Sequence, residues 1–586
     1  MPARHPALAR SPLLAGLSDA ELDALNARMR PRRFAAGEEL CRAGAPSDSI
    51  WLITGGLVHW FVPTTEGAND LLLRLRKGDV IGAQDAVSGE PRSATVIASI
   101  ATSTLELGAE DLIDLARRFP QILVNLIRTQ RERLFRVNAR KAEAARGEEI
   151  ALVAGPSLEG TVGAIVAAAR SASPRPVSFV DRRLSFAGAL TAADDLAAEN
   201  ATVLMQGALQ AETLEVLLDQ VDRVVALAGT AAEAEQLGKL SAAAEGHRLE
   251  VVLVGEEAAA VGRSWCAQSG IAPVRICARQ DELALSDPDL CWLARHLTRT
   301  KLGIALGAGG AKGYAHVGVL QVLEEAGYVV DFAGGSSIGG FVASHVALGY
   351  NAQEIDERFR AAFDADTVAA LFAGPFGGGS TGVEVLTGML QKATELRSFE
   401  DAVIPLVIMT VDLTDRAPAP LRDGPLWEAL HAALAVAGVF PPRERDGHRL
   451  VDGLALVPVP TGSVLQDGAD LVVSVNLMGA ETLERWPTGA EVEPPPARRG
   501  RRGALDTLLE VMDLSQLDTS ARHAALADVV VTPRFALSDW RDFHLADLFL
   551  AAGRAAATEQ LPRLQELSRP IDADAARRTR GLSTFV

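Results

Sequence analysis

Near the middle of the chain, Gly335-Ser336-Ser337-Ile338-Gly339 fits the spacing Gly-x-Ser-x-Gly. A serine on a sharp turn between strand and helix projects its hydroxyl into the open, and small neighbours such as Gly335 and Gly339 keep that turn from clashing. The helix that follows offers free N–H groups and the positive end of its dipole. A hydroxyl so placed can attack an ester carbonyl, provided a base takes its proton. Alone, the pentad reads equally well as a glycine-rich turn without chemistry. Two other stretches favour the first reading. Upstream, Gly307, Gly309, Gly310, Ala311 and Lys312 form a loop whose backbone amides can approach a ligand closely and hold an oxyanion. Downstream, Gly447-His448-Arg449-Leu450-Val451-Asp452-Gly453 reads as a short strand that delivers Asp452 to a turn opened by glycine. An aspartate there can act as the base.

These residues need strands and helices to hold them. Leu302 to Leu306 is a short apolar run of the kind that forms a buried strand. A helix follows the glycine loop, with Val319, Leu320 and Leu323 on one face and Gly327 as its stop. A second strand is expected near Val329 to Ala333, directly before the serine pentad. A histidine base would make a Ser-His-Asp arrangement instead. His316, His345, His431, His448, His523 and His544 are the candidates, although His316, on the helix after the loop, reads as structural.

Glycine loop, Ser337 and Asp452-Gly453, in that order, resemble the patatin-like phospholipases. The resemblance is closest to the branch containing neuropathy target esterase and its bacterial relatives. Met409 to Thr414, Val439-Phe440-Pro441-Pro442 and the tail near Asp539 to Asp547 extend it, so that it covers Leu302 to about Ala556. It implies a patatin-like α/β hydrolase domain over residues 299–575 that needs no cofactor. Ser337 would be the nucleophile and Asp452 the base of a dyad. The substrates implied are acyl esters of lysophospholipids or phospholipids, cleaved through an acyl-enzyme. Aspartate is a weak base, with an ordinary pKa of about 3.9, so such a dyad leans on its oxyanion hole. Ala308, Lys312, Leu454 and Val457 depart from the family pattern, while Pro458 and Pro460 fit it. The departures bear on the turn that aims Asp452, and they leave a catalytically weak or inactive regulator or binding module as the alternative. Leu371 to Phe376 would suit an acyl pocket, and that segment together with Gly377 to Gly382 reads as a mobile lid hinged on glycines or as an ordinary surface loop.

The whole chain has 586 residues, 48% of them hydrophobic, and a net charge of −18. That length suggests several domains, and that charge speaks against nucleic acid as a partner. Four cysteines without a CxxC pair suggest neither a zinc site nor a disulfide framework. The first residues lack the long apolar core of a signal peptide, and no stretch reads as a membrane span. The expectation is a cytoplasmic protein, soluble or peripheral at a membrane.

Ser18 to Met29 reads as a helix with a Ser18/Glu21 capping box. Short strands between glycine turns follow, including Ile50 to Gly56, Asp70 to Arg74 and Gly78 to Gly82, and they argue for a small β-barrel or jelly roll. Their order, with Pro91-Arg92-Ser93-Ala94, resembles the cyclic nucleotide-binding domains. The resemblance implies a domain over residues 13–147 in which Arg92 and Ser93 meet a cyclic phosphate, with a cyclic nucleotide as regulatory ligand. Ala83 stands where the family carries the acidic residue that holds the ribose, so a docking or dimer module is the other reading. Phe119 to Glu149 is amphipathic, and serves either to form a homodimer or to pack on its own barrel.

Residues 148–298 alternate apolar runs with alanine-rich helices, which means a Rossmann-like α/β domain with a parallel sheet. Gly155 follows its first strand, but neither phosphate-loop fingerprint is present. Residues 480–503, with Arg498, Arg499, Arg501 and Arg502, read as a disordered insertion able to touch anionic headgroups or simply remain solvated. The fold class expected is therefore multidomain: a jelly roll, a Rossmann-like domain and a patatin-like hydrolase domain.

Overall fold

The computed structural model describes residues 8–571 apart from 9–10, 36, 64–68, 99–100, 126–147, 181–192, 194–195, 198–200, 210–220, 244–248, 270–272, 282–283, 373–379, 479–481, 484–503 and 537–539. Most of the expected dimerising helix, the arginine-rich insertion apart from Thr482–Leu483, much of the candidate lid and Asp539 therefore lie outside the described residues. The chain divides into two compact units, Met1–Thr298 and Arg299–Ile571.

The first unit begins with helix Asp19–Asn26, where the Glu21 carboxylate accepts from the Ser18 N–H at 2.6 Å. Eight strands follow: β1 Arg30–Phe34, β2 Glu39–Cys41, β3 Ser49–Gly55, β4 Leu57–Pro63, β5 Asn69–Arg76, β6 Val80–Ile81, β7 Thr95–Ala98 and β8 Thr102–Gly108. They form two antiparallel four-stranded sheets, ordered β1-β8-β3-β6 and β2-β7-β4-β5. This is the expected jelly roll. Ile50, Leu52 and Leu107 fill one part of its core, and Trp51, Ile53 and Val58 another.

The Rossmann-like part has six parallel strands: β9 Glu149–Ala154, β10 Val177–Val180, β11 Thr202–Ala208, β12 Arg223–Ala228, β13 Leu249–Val254 and β14 Arg275–Cys277. Their order is β10-β11-β9-β12-β13-β14. Five of these were legible as apolar runs. The sixth has three residues, and its Arg275 and Ile276 are not fully buried, so no run marks it. The sheet changes direction between β9 and β12, the place where such sheets open a crevice at the strand ends. Two short strands, β15 Arg279–Asp281 and β16 Ala284–Leu285, pair as a hairpin.

The second unit holds β17 Leu302–Leu306, β18 Val330–Ser336, β19 Leu406–Asp412, β20 Ala417–Leu421, β21 Arg443–Arg445, β22 His448–Asp452, β23 Leu471–Val475, β24 Thr482–Leu483, β25 Val529–Val531 and β26 Phe535–Ala536. Five run parallel in the order β19-β18-β17-β23-β25. Every residue of β17 and β19 is buried, as suits a sheet covered on both faces. Helices Tyr314–Glu325 and Ile338–Ala347 bring Tyr314 and Phe341 against Phe359; the Tyr314 and Phe359 rings stack 4.1 Å apart.

One contact sets how closely the first of these helices can be approached. Helix Tyr314–Glu325 meets helix Ala546–Leu567 at Gly318 and Gly553. A Cβ on Gly553 would lie 2.0 Å from the Ala315 carbonyl oxygen, and one on Gly318 would lie 2.1 Å from that of Leu550. Gly553→Ala is expected to destabilise this unit by about 1–3 kcal/mol through overpacking. Gly388→Ala, on exposed helix surface with nothing within 4 Å of the new Cβ, is expected to be neutral or to stabilise by up to about 1 kcal/mol. Denaturant unfolding of the two variants checks both signs.

Candidate active site

Ser337 immediately precedes helix Ile338–Ala347, with φ 54° and ψ −128°. A side chain bearing residue in that region costs roughly 1–3 kcal/mol and persists only where its surroundings enforce it. Here they do. The Gly340 N–H donates to the Ser337 carbonyl at 2.9 Å. A Cβ on Gly335 would lie 2.1 Å from the Gly339 carbonyl oxygen, and one on Gly339 would lie 2.2 Å from that of Leu306. The two flanking glycines thus let the first turn of the helix fold back onto its own strand and onto the end of β17, at the root of the glycine loop.

Asp452 reaches this turn through a shared strand edge. One edge of β19 pairs with β20 from Ile408 to Asp412. Its other edge is used twice. β18 pairs with it up to Ser336, opposite Met409, and β22 takes over one residue later, with Asp452 opposite Thr410. The end of β18 and the end of β22 therefore meet. The Ser337 hydroxyl donates to Asp452 Oδ2 at 2.6 Å, and the Leu454 N–H donates to Asp452 Oδ1 at 2.8 Å. Ser337 is 6% exposed and Asp452 4%. Burial pushes the Asp452 carboxyl up to about 7, against the lowering effect of the bonds from Ser337 and Leu454. Gly453 is needed because a Cβ there would lie 2.6 Å from both the Met409 carbonyl oxygen and Ser336 Oγ. The departures at Leu454 and Val457 leave this turn hydrogen-bonded: the Leu454 amide holds Asp452, and the Val457 N–H donates to the Gly453 carbonyl at 2.8 Å.

The glycine loop needs correction as an oxyanion hole. The Gly307 N–H donates to the Val475 carbonyl at 3.0 Å, that of Ala308 to Pro458 at 2.9 Å, that of Ala311 to Trp540 at 2.7 Å, and that of Lys312 to Gly309 at 3.2 Å. Gly307, Ala311 and Lys312 spend these donors on holding the loop, because a backbone turn buried among strand ends must satisfy its own amides. Gly309 and Gly310 are the loop amides with no backbone acceptor among the described residues. Gly310 has φ 57°, and a Cβ there would lie 2.4 Å from the Trp540 carbonyl oxygen. Trp540, within the tail stretch Asp539 to Asp547 that extends the family resemblance, anchors the loop through its carbonyl.

Histidine takes no part in the pair. A direct 2.6 Å contact between Ser337 and Asp452 leaves no room for an imidazole between them. His316 is fully buried, lies 2.8 Å from the Gly307 carbonyl oxygen and is pushed down to about 4 by burial, so it is a neutral prop of the loop. His345 lies between the carbonyls of Phe341 and Ala393, and His448 bonds Asp412 at 2.6 Å. Asp412, Asp415 and His448 bring ligand-type atoms within 4.8 Å of one another. The His448–Asp412 pair already satisfies that group, and Asp415 and His448 are exposed.

In the first unit, Arg92 is buried and its Nη2 donates to the Ser49 carbonyl at 2.6 Å, while Ser93 faces Asp85. In the Rossmann-like part, a carboxylate of the chain takes up donors of the loop after β9. Glu233 accepts from the Ser157 N–H (2.8 Å), the Ser157 hydroxyl (2.7 Å) and the Gly229 N–H (2.8 Å). Its carboxylate lies where a Cβ of Gly155 would come within 2.4 Å of it.

Family models match the chain twice, as patatin-like phospholipase over residues 304–465 and as cyclic nucleotide-binding domain over residues 31–119. Among curated proteins, human patatin-like phospholipase domain-containing protein 6 is 25% identical over 75% of this chain and 37% of its own length. An uncharacterized NTE family protein of Mycobacterium tuberculosis is 25% identical over 96% of this chain and 97% of its own. This chain thus spans well under half of the human relative. Among solved structures, Thermus thermophilus catabolite activator protein aligns at 26% identity over 27% of this chain and 69% of that one, with a TM-score of 0.21.

The raised carboxyl also has a consequence for stability. Because the folded pKa of Asp452 lies above its unfolded value, the protonated form favours the fold, and that contribution is complete below about pH 4 and lost as pH rises to about 7. Asp452→Asn removes the loss. The variant is expected to match the wild type near pH 4 and to gain on it steadily up to pH 7, by at most about 4 kcal/mol. Thermal unfolding of both proteins across that range checks the slope.

Proposed function

We propose that this chain, which joins a cyclic nucleotide-binding domain to a patatin-like phospholipase domain of the neuropathy target esterase branch, is a serine hydrolase that cleaves acyl esters of lysophospholipids or phospholipids. The observation that carries the reading is the buried Ser337–Asp452 hydrogen bond of 2.6 Å, with the carboxyl poised at about 7. A base is most useful when its pKa lies near the working pH. An ordinary aspartate would be too weak, so its burial without a cationic partner has a chemical use.

In this reading Ser337 Oγ attacks the ester carbonyl carbon while its proton passes to Asp452 Oδ2. The Gly309 and Gly310 amides receive the oxyanion. Its collapse expels the alcohol, which takes the proton back from Asp452, and leaves an acyl chain on Ser337. Water then attacks the acyl-enzyme and gives its proton to Asp452, and the proton returns to Ser337 as the fatty acid departs. The substrate class rests on the relatives' descriptions as phospholipases. Among the described residues no helix is long and apolar enough to cross a membrane. We place the enzyme in the cytoplasm, meeting lipid from the aqueous side, and divide the chain functionally at residues 13–147, 148–298 and 299–575.

Fatty-acid release from lysophosphatidylcholine is the direct test. Ser337→Ala and Asp452→Asn are each expected to lower it by at least about a thousandfold. A wild type that releases no fatty acid, there or from simple esters, would mark the chain as the inactive regulator instead. For the active enzyme, kcat/KM should rise with pH to a midpoint at about 7 and then level off, because Asp452 must be ionised to accept the proton.

A further inference from the structure

The cyclic nucleotide-binding family implies a cyclic phosphate held by the loop between Gly82 and Ala94, with Arg92 and Ser93 as donors. The residues present do not fit that ligand. Arg92 is 3% exposed. Its Nη2 donates to the Ser49 carbonyl at 2.6 Å and lies 3.4 Å from Ser49 Oγ, and its guanidinium carbon sits 4.7 Å from the Trp51 ring centroid. Nη1 has no hydrogen-bond partner and is buried. It lies on Gly82, so closely that a Cβ there would come within 2.0 Å of it. Of its two terminal nitrogens only Nη1 is left without an acceptor, so a two-nitrogen phosphate fork is not available and a single contact is the most Arg92 can offer.

The Arg92 backbone amide and both Ser93 donors are spent. The Arg92 N–H goes to the Ala45 carbonyl at 2.8 Å. The Ser93 N–H and the Ser93 hydroxyl both donate to Asp85 Oδ2 at 3.3 Å. Asp85 comes from helix Ala83–Ser88, the turn that immediately follows Gly82. A carboxylate is an anion with the same acceptor chemistry as a phosphate oxygen. A second anion brought to Ser93 would face it at close range, and like charges in one site are unfavourable. Ala83, in turn, cannot accept from a ribose hydroxyl.

We infer that Asp85 is a built-in occupant of this cradle, standing in for the ligand phosphate at Ser93, and that the N-terminal domain is therefore closed to cyclic nucleotides. The domain keeps the jelly-roll frame and the Arg92-Ser93 pair, but both are turned to internal use: Arg92 ties β3 to the loop through Ser49, and Ser93 ties the loop to its own helix.

The test is calorimetric titration of the full chain with cyclic AMP and, separately, cyclic GMP. Wild type is expected to give no saturable heat with either. Asp85→Gly removes the carboxylate, and Ala83→Glu supplies the missing ribose acceptor. The protein carrying both changes is expected to bind one of the two nucleotides, and adding Arg92→Ala to that protein should weaken binding by about tenfold or more. Saturable binding by wild type that Arg92→Ala abolishes would overturn the inference. So would a doubly substituted protein that stays silent while its melting curve and circular dichroism match those of wild type, since Asp85 would then not be what closes the cradle.

Discussion

The second unit is organised by two strands sharing one edge. β18 can pair with β19 only as far as Ser336, because the chain there turns sharply into a helix at Ser337. The vacated edge of β19 is taken by β22, antiparallel, one residue further on. Backbone groups of a buried strand must all be paired, so the handover has no slack. It brings the end of one strand against the end of another, and Ser337 and Asp452 are the residues at those ends. Gly453 and Ser336 press together at the join, which is why the residue after Asp452 has no side chain.

Burial then sets the proton affinity at this contact. A carboxylate without a cation beside it is poorly solvated in a protein interior, and its proton affinity rises. Asp452 has only a hydroxyl and an amide for company, which is enough to orient it and too little to return it to the ordinary carboxylate range. The neighbouring histidines are made neutral by the same burial: His316 and His431 are pushed down to about 4. The site thus keeps one titratable group near neutrality, and the histidine that stands closest to the glycine loop serves to hold it.

A shared theme connects the two parts of the first unit. Each contains a turn at which related folds hold an anionic ligand, and at each a carboxylate of the chain itself meets the donors. Asp85 does so at Ser93 in the jelly roll, and Glu233 does so at Ser157 and Gly229 where β9 and β12 end. The interactions differ in strength. Glu233 accepts three bonds of 2.7–2.8 Å and is held below the ordinary glutamate range by them, although burial acts the other way. The bonds at Asp85 are longer and more exposed. Asp85 lies 8 residues from Ser93 and Glu233 lies 76 from Ser157, and neither carboxylate carries a mark in the sequence that separates it from any other acid on a helix.

From the residues alone, the order of the three folds was legible, because apolar runs of strand length between glycine turns and alanine-rich helices carry their period in one dimension. So were the turns that carry Ser337 and Asp452, since the steric demands of each are written in the glycines beside them. Which amides of the glycine loop stay available was not legible. Gly307, Ala311 and Lys312 look as suitable as Gly309 and Gly310 until Val475, Trp540 and the loop's own carbonyl are seen to accept from them. Nor could the sequence say that Arg92 points inward onto Trp51, or that Asp85 turns to Ser93. Such pairings are made between segments far apart in the chain or by rotamers within one turn, and only packing in three dimensions decides which donor meets which acceptor.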